Sequence, residues 1–362
     1  MAHGGHFVAR YDGQVVFVRG GITGEVVDIL ITAVTKRYAR GEVTAVQVAS
    51  EHRVEPACPI AGRCGGCDFQ HIEVGFTREL KRQVVAEQLK HLGGYDFVGE
   101  VVAVPPTPFG WRTRMRYHVD GAGRTGLAAH RSREVIELPP QGCLLAVPEI
   151  ANPSAPRVRN GELLAVVSTS KTVVLPATGA RGTVIQKVAG LSFEVAVDGF
   201  WQAHVRAAEV LVAAVLSGLE PVPGETAADL YCGVGLFAGF LAEAGCQVLG
   251  IEGDRRAAEL ASQNVPSGHF RAGDVARLVD KLPASMDLIV LDPPRVGAGA
   301  EVLAGLLARR PRAVAYVACD PAALGRDLRT AGELGYQAQQ VTAFDLFPLT
   351  HHVECVAILT PV

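Results

Sequence analysis

Aromatic side chains are scarce in this sequence, at 6%, with only two Trp and three Met. Its cores must therefore be built mostly from Val, Ala and Leu, which the 49% hydrophobic content and mean hydropathy of +0.23 supply. No uninterrupted apolar run of about 18 residues occurs, which argues against a membrane span. The start, "MAHGGHFVARYDG", has no apolar signal core. A cytoplasmic protein is expected, and there clustered cysteines more often bind metal or do chemistry than form disulfides. Internal repeats and low-complexity segments are also absent, and no stretch points to an obligate protein partner. At 362 residues, two or three domains are expected.

The organisation changes along the chain. "GQVVFVRG", "GEVVDILITAVTK" and "RGEVTAVQVAS" are β-branched runs separated by Gly and charge, as in a small barrel. Barrels of this kind often bind RNA, although many are scaffolds. Residues 73–92 have helical apolar spacing through Phe76, Leu80, Val84, Leu89 and Leu92, and "GG" at 93–94 stops them. From about 98 to 204 the pattern returns to strands with Pro and Gly punctuation, notably "TVVLPA", "GTVIQKVAG" and "LSFEVAVDGFWQ". From about 206, strands and helices alternate: "TAADLYCGVGLFAGFLAEAG", "QVLGIEGD", "RRAAELASQNV", "MDLIVLDPPR", "AVAYVACDP", "VECVAILTPV". That pitch predicts a doubly wound sheet with ligands at the carboxyl ends of its strands. The fold class is thus α/β, with a C-terminal Rossmann-like domain, an N-terminal small β-barrel and a central α+β domain. The expected boundaries are 1–52, 53–204 and 205–362, with the 73–92 helix free to pack on the last.

Charge is uneven. Residues 1–205 carry 22 Lys/Arg against 19 Asp/Glu, and residues 206–362 carry 12 against 18. The basic charge is densest at 109–133, where six Arg face one Asp. Arg112, Arg114, Arg116 and Arg131 are candidate phosphate contacts, the competing reading being a solvated strand face.

"CPIAGRCGGCDFQH" sets Cys58, Cys64 and Cys67 in a C-x5-C-x2-C pattern, too many for one disulfide and one short of a tetrahedral metal site. In the second half, "DLYCGVGLFAG" follows a buried strand and opens a helix, so Gly233 and Gly235 let backbone approach a ligand at a helix N-terminus. Glu252 stands about 20 residues on, where an acid accepts from ribose hydroxyls. Nicotinamide and S-adenosylmethionine sites share that spacing. "LDPPR" ends a strand in a loop made rigid by proline and aims Asp292 into the cleft. "YVACDP" brings Cys319 to the same rim, as a nucleophile if deprotonated or as an inert buried thiol. In "FDLFPLTHHVECVAIL", Glu354 lies between apolar residues, a general base if buried and an edge carboxylate if not.

In this order, "DLYCGVG", "GIE", "DPPR", "YVACDP" and "FPLTHHVE" resemble the RNA uracil-C5 (m5U) methyltransferases. "GFWQ" at 199–202, the cysteine segment and the barrel-like start extend the resemblance to nearly the whole chain, and it is nearest to the 23S rRNA members with a TRAM domain and an iron–sulfur cluster. It implies that Cys319 adds to uracil C6, that C5 takes the methyl of S-adenosylmethionine, and that Glu354 removes the C5 proton. It implies cofactor contacts from Gln202, Tyr231, Gly233, Gly235, Glu252, Asp274 and Asp292. It also implies a [4Fe–4S] cluster on Cys58, Cys64, Cys67 and the distant Cys143, for which zinc is the alternative. The implied partner is 23S rRNA, with tRNA as runner-up. A nicotinamide enzyme and a non-catalytic RNA-binding protein are the alternatives outside this class. Three positions depart from the family pattern: Leu236 and His204 where Asn is usual, and Asp320 after the nucleophile in place of Asn. The family's first strand normally precedes "AHGG", so the barrel is expected to start short or the start codon to lie upstream.

Overall fold

The structure, a computed structural model, describes residues 1–154 and 158–362. Four strands, Phe7–Tyr11, Gln14–Arg19, Val26–Val34 and Tyr38–Val48, form the first sheet. The fourth strand lies between the second and third. Alternation buries Val16, Val18 and Ala39 on one side, which is how short β-branched runs close a small barrel-like layer.

Helix Val74–Gln88, with a wider last turn over Leu89–Gly93, ends at Gly94 in the left-handed conformation. Helix and GG stop follow the apolar spacing. The helix packs against helix Pro321–Glu333. A Cβ at Gly93 would come within 2.9 Å of the Gly325 carbonyl oxygen, so both positions need glycine for the helices to meet. A central five-stranded antiparallel sheet runs Thr172–Pro176, Gly161–Val167, Arg114–Val119, Thr125–Ala128, Val135–Glu137 in spatial order. Its core holds Trp111, Met115, Tyr117 and Leu163.

The eight-stranded C-terminal sheet has the order His269–Ala272, Gln247–Glu252, Thr226–Leu230, Leu288–Leu291, Ala313–Ala318, Glu354–Pro361, Tyr336–Asp345, Val101–Ala103. The first five strands are parallel, while Glu354–Pro361 runs antiparallel to both neighbours. "LIVL" and "AVAYVA" are buried throughout, as expected of strands covered by helices on both faces. Strand order reverses between Thr226–Leu230 and Leu288–Leu291, the point where such sheets open a ligand crevice.

Packing crosses the expected boundary at 205. Val101–Ala103 pairs with Tyr336–Asp345. The hairpin Thr183–Val188/Leu191–Ala196 packs on helix Arg255–Asn264, where Asn264 bonds both the amide and the carbonyl of Glu194. Among the described residues, no helix is long and apolar enough to cross a membrane.

Candidate active site

Six candidate residues gather at the carboxyl ends of adjacent parallel strands. Tyr231, with φ of +60°, turns the chain out of Thr226–Leu230, and its amide donates to Ile251. Gly235 opens helix Leu236–Glu243 at φ +87°. Nothing lies within 4 Å of a Cβ placed on Gly233, so its backbone faces open space. The Glu252 carboxylate accepts from the Gly233 and Asp254 amides, both at 2.8 Å, and so fixes the glycine turn against the next strand. Asp274 caps helix Val275–Leu278 by accepting from the Arg277 amide. Asp292 follows Leu288–Leu291, and burial together with repulsion from Glu252 raises it to about 7. Gln202 is buried in the segment entering helix Ala207–Leu219.

Beneath the turn, Asp229 is fully buried. Its Oδ2 accepts from the Ala238 amide at 2.8 Å, and its Oδ1 has no partner. Burial pushes it to about 8. The departures take apolar or helix-capping roles here. Leu236 is buried, His204 stacks on Trp111 with rings 5.8 Å apart, and Asp320 caps helix Pro321–Glu333 through the Ala323 amide.

Cys319 and Glu354 meet through sheet register. Ala318 pairs with Cys355 across antiparallel strands, so the next positions outward, Cys319 and Glu354, face each other at the rim. Directly opposed residues lie within about 5.5 Å. Cys319 is half-buried and Glu354 only 4% exposed. Burial and the facing Glu354 carboxylate raise the Cys319 thiol to about 11, and Arg295 pulls it back. Burial, then repulsion from Asp292, holds Glu354 far above the usual carboxylate range, again opposed by Arg295. Arg295 also reaches His352 Nε2 at 3.3 Å.

The loop before Glu354 is tied down from outside the C-terminal domain. Leu349 O accepts from the Asp68 and Phe69 amides, and His351 Nδ1 stands 2.6 Å from Asp68 Oδ2. Lys81 of the first helix is buried, 2.6 Å from Asp345 and 3.0 Å from Phe347 O. The chain's third residue also reaches the rim, with His3 Nε2 at 3.0 Å from Asp320. Sequence reasoning did not assign Arg295, His352, Lys81, His3 or Asp68. Arg295 was visible as the residue after the Asp-Pro-Pro loop. Lys81 shares the helical face of Thr77, Leu80, Val84 and Val85, where a charge is out of place.

Cys58, Cys64, Cys67 and Cys143 line one small cavity, and all eight cysteines are free. Gly66 N and Gln70 Nε2 each lie 3.3 Å from a sulfur, of Cys64 and Cys67 respectively. Burial raises Cys64, Cys67 and Cys143, with Cys67 pushed up to about 12. Among the described residues, no group of three or more His, Cys, Asp or Glu is arranged to hold a metal ion. The four thiols share a cavity, but their sulfurs do not form a ready-made site.

The four candidate arginines divide. Arg114 donates to the carbonyls of Ala196, Val197 and Gly199. Arg112 packs over Trp111, donates to Arg114 O, and lies close enough to Cys143 and Cys67 to feel their charge. Arg116 is exposed and paired with Glu162. Arg131 is exposed at φ +52°.

A strand-order reversal beside a glycine turn, an acid on the next strand and an antiparallel last-in-sequence strand inserted beside the fifth parallel one define a Rossmann-like methyltransferase domain. Residues 2–44 match the TRAM domain, and residues 281–362 match the family described as tRNA (Uracil-5-)-methyltransferase. The chain is 41% identical to an uncharacterized RNA methyltransferase of Streptomyces avermitilis, over 100% of this chain and 96% of that one. It is 36% identical to one of Corynebacterium glutamicum, over 100% and 95%. The fold matches the crystal structure of Pyrococcus abyssi tRNA (uracil-54, C5)-methyltransferase in complex with S-adenosyl-L-homocysteine, with a TM-score of 0.72, 21% identity and 95% of each chain covered. The chain belongs to the RNA uracil-5 methyltransferase family, enzymes that use S-adenosylmethionine, with a TRAM domain at its start. Membership leaves no role for a nicotinamide enzyme or a purely RNA-binding protein.

Proposed function

We propose that this enzyme methylates C5 of a uridine in 23S rRNA, with Cys319 as nucleophile and Glu354 as base. The observation that carries the reading is the cross-strand opposition of Cys319 and Glu354 beneath Arg295. S-adenosylmethionine, when bound, supplies an electrophilic methyl group. The Cys319 thiolate adds to uracil C6, and the C5–C6 electron pair moves onto the C4 carbonyl oxygen as an enolate. C5 then takes the methyl, the Glu354 carboxylate removes the C5 proton, and the C6–S bond breaks to free the thiolate. The guanidinium of Arg295 favours the anionic form of both groups. The open backbone at Gly233, with Gly235, Glu252, Tyr231, Asp274, Asp292 and Gln202, would hold the cofactor. The target base must leave its stack to reach Cys319.

What supports an iron–sulfur cluster is the chemistry of the donors and not their present arrangement: four thiols on one cavity, N–H groups near two of the sulfurs, and the Arg112 cation near two. Cys58, Cys64, Cys67 and Cys143 would hold a [4Fe–4S] cluster as a brace between the barrel and the 346–353 loop. Arg116 and Arg131 are the phosphate contacts, because they are exposed, whereas Arg112 and Arg114 are half-buried against Trp111 and backbone carbonyls. The Pyrococcus likeness spans 95% of both chains, so a tRNA target stands as the second reading.

Mapping m5U in rRNA and tRNA with and without the gene separates the two. Loss of an rRNA m5U, restored by the wild-type gene and not by Cys319→Ala, is expected; an intact rRNA pattern rejects the first choice. Anaerobically purified protein is expected to be brown, with absorbance near 400 nm that Cys67→Ser removes. Colourless protein holding one zinc would replace the cluster.

A further inference from the structure

A second concave site lies beside the reactive rim. The barrel, the 130–131 turn and the loop before Glu354 enclose a cavity of about 420 Å³, within the range of small-ligand sites. Arg19, Arg40 and Arg131 line it, and Asp68 is its only carboxylate. Asp68 is already matched by His351 at 2.6 Å. Arg40 has no carboxylate partner; it lies 5.7 Å from the Phe17 ring and 3.4 Å from His6 Nε2. Arg131 is exposed and held in a left-handed turn. His6 sits 6.4 Å from Phe17 and 6.5 Å from His130, ring to ring. Burial lowers both imidazoles, and neighbouring arginines lower them further, so the three lining arginines outweigh the one lining carboxylate, Asp68. Two of its walls touch the chemistry, since His3 bonds the residue after Cys319 and His351 precedes His352, the neighbour of Arg295.

Resting on the RNA reading above, we propose that this cavity seats one nucleotide of the RNA, next to the target uridine in the chain, with its phosphate on Arg40 and Arg131 and its base against His6, Phe17 and His130. An unpaired base stacks on such rings, and guanidiniums take the phosphate between them. The cavity thus sets which nucleotide may flank the target, while Cys319 and Glu354 see only the uracil.

The test uses the full-length enzyme and transcripts of 23S rRNA and of tRNA in which uridine is replaced by 5-fluorouridine. C5 then carries no removable proton, and the Cys319 adduct is trapped. Absence of an adduct with either RNA rejects the RNA reading and the cavity together. Where an adduct forms, its nucleotide fixes the register, and 4-thiouridine is placed singly within three positions on either side. Photocrosslinks to Phe17, His6 or His130 from one offset are expected. Arg40→Gln and Arg131→Gln are each expected to weaken RNA binding about tenfold and to lower the salt slope by about one, with S-adenosylmethionine affinity unchanged. Crosslinks elsewhere, or an unchanged slope in both variants, overturn the cavity assignment and leave the methylation reading standing.

Discussion

At the residue scale, Cys319 and Glu354 are held in the protonation states opposite to those the proposed reaction uses. The thiol is raised to about 11, so in free enzyme its thiolate fraction is small at neutral pH and still climbing above pH 9. Alkylation of Cys319 by iodoacetamide is expected to rise with pH past the ordinary cysteine range, read by mass spectrometry of the Cys319 peptide. Arg295→Gln removes the cation that opposes the rise, and its alkylation curve should move to still higher pH; a curve at or below the wild-type one would exclude Arg295 as the counter-charge. Glu354→Gln keeps the shape and loses the base. Addition and methylation then proceed, but the C5 proton stays, so a denaturant-resistant RNA–protein band should accumulate while free m5U falls by at least about 100-fold, the scale of one general base.

At the element scale, the strand Glu354–Pro361 does two things. It carries Glu354, the proposed base, and it pairs with both Ala313–Ala318 and Tyr336–Asp345. Its approach loop is fastened by Lys81, whose ammonium is buried against Asp345 and Phe347 O. Lys81→Met leaves Asp345 buried and uncompensated, and should cost about 3–5 kcal/mol in chemical denaturation. The double change Lys81→Met/Asp345→Leu should recover much of that loss. These elements also mark what the sequence made legible. The strands ending at Leu230, Glu252, Leu291 and Ala318 were visible because each is an apolar run closed by glycine, acid or proline. Tyr336–Asp345 was not, because "YQAQQVTAFD" has a polar, half-exposed start that hides its pairing. Val101–Ala103 is three residues long, and its place at the sheet edge depends on a tertiary contact with no local signature. Arg112 and Arg114 read as candidate phosphate contacts because composition does not say which carbonyls or rings a guanidinium will meet.

At the scale of the molecule, three carboxyls around one crevice are raised: fully buried Asp229 to about 8, half-buried Asp292 to about 7, and buried Glu354 well above the usual carboxylate range. In the unfolded chain they ionise near pH 4. The folded state keeps these protons to higher pH, so through these three groups it binds more protons than the unfolded state once the pH passes about 4, and the stability they contribute falls as the pH rises. Asp229→Asn removes one contributor. Its melting temperature should drop less between pH 5 and pH 8 than that of the wild type, by roughly 2–4 °C. An equal drop in both would mean that Asp229 ionises normally. The ligand crevice is therefore bought with pH-dependent stability.

The insertion of Glu354–Pro361 between two earlier strands also bears on biosynthesis. Ala313–Ala318 and Tyr336–Asp345 leave the ribosome before the strand that joins them, so until residue 361 emerges both present unpaired edges to solvent or to chaperones. Until then the nascent chain carries Cys319 without Glu354. A ribosome-bound fragment ending before residue 354 should be protease-sensitive in its C-terminal half and, on the proposed mechanism, unable to release methylated RNA, so competence would wait on translation of the Glu354–Pro361 strand.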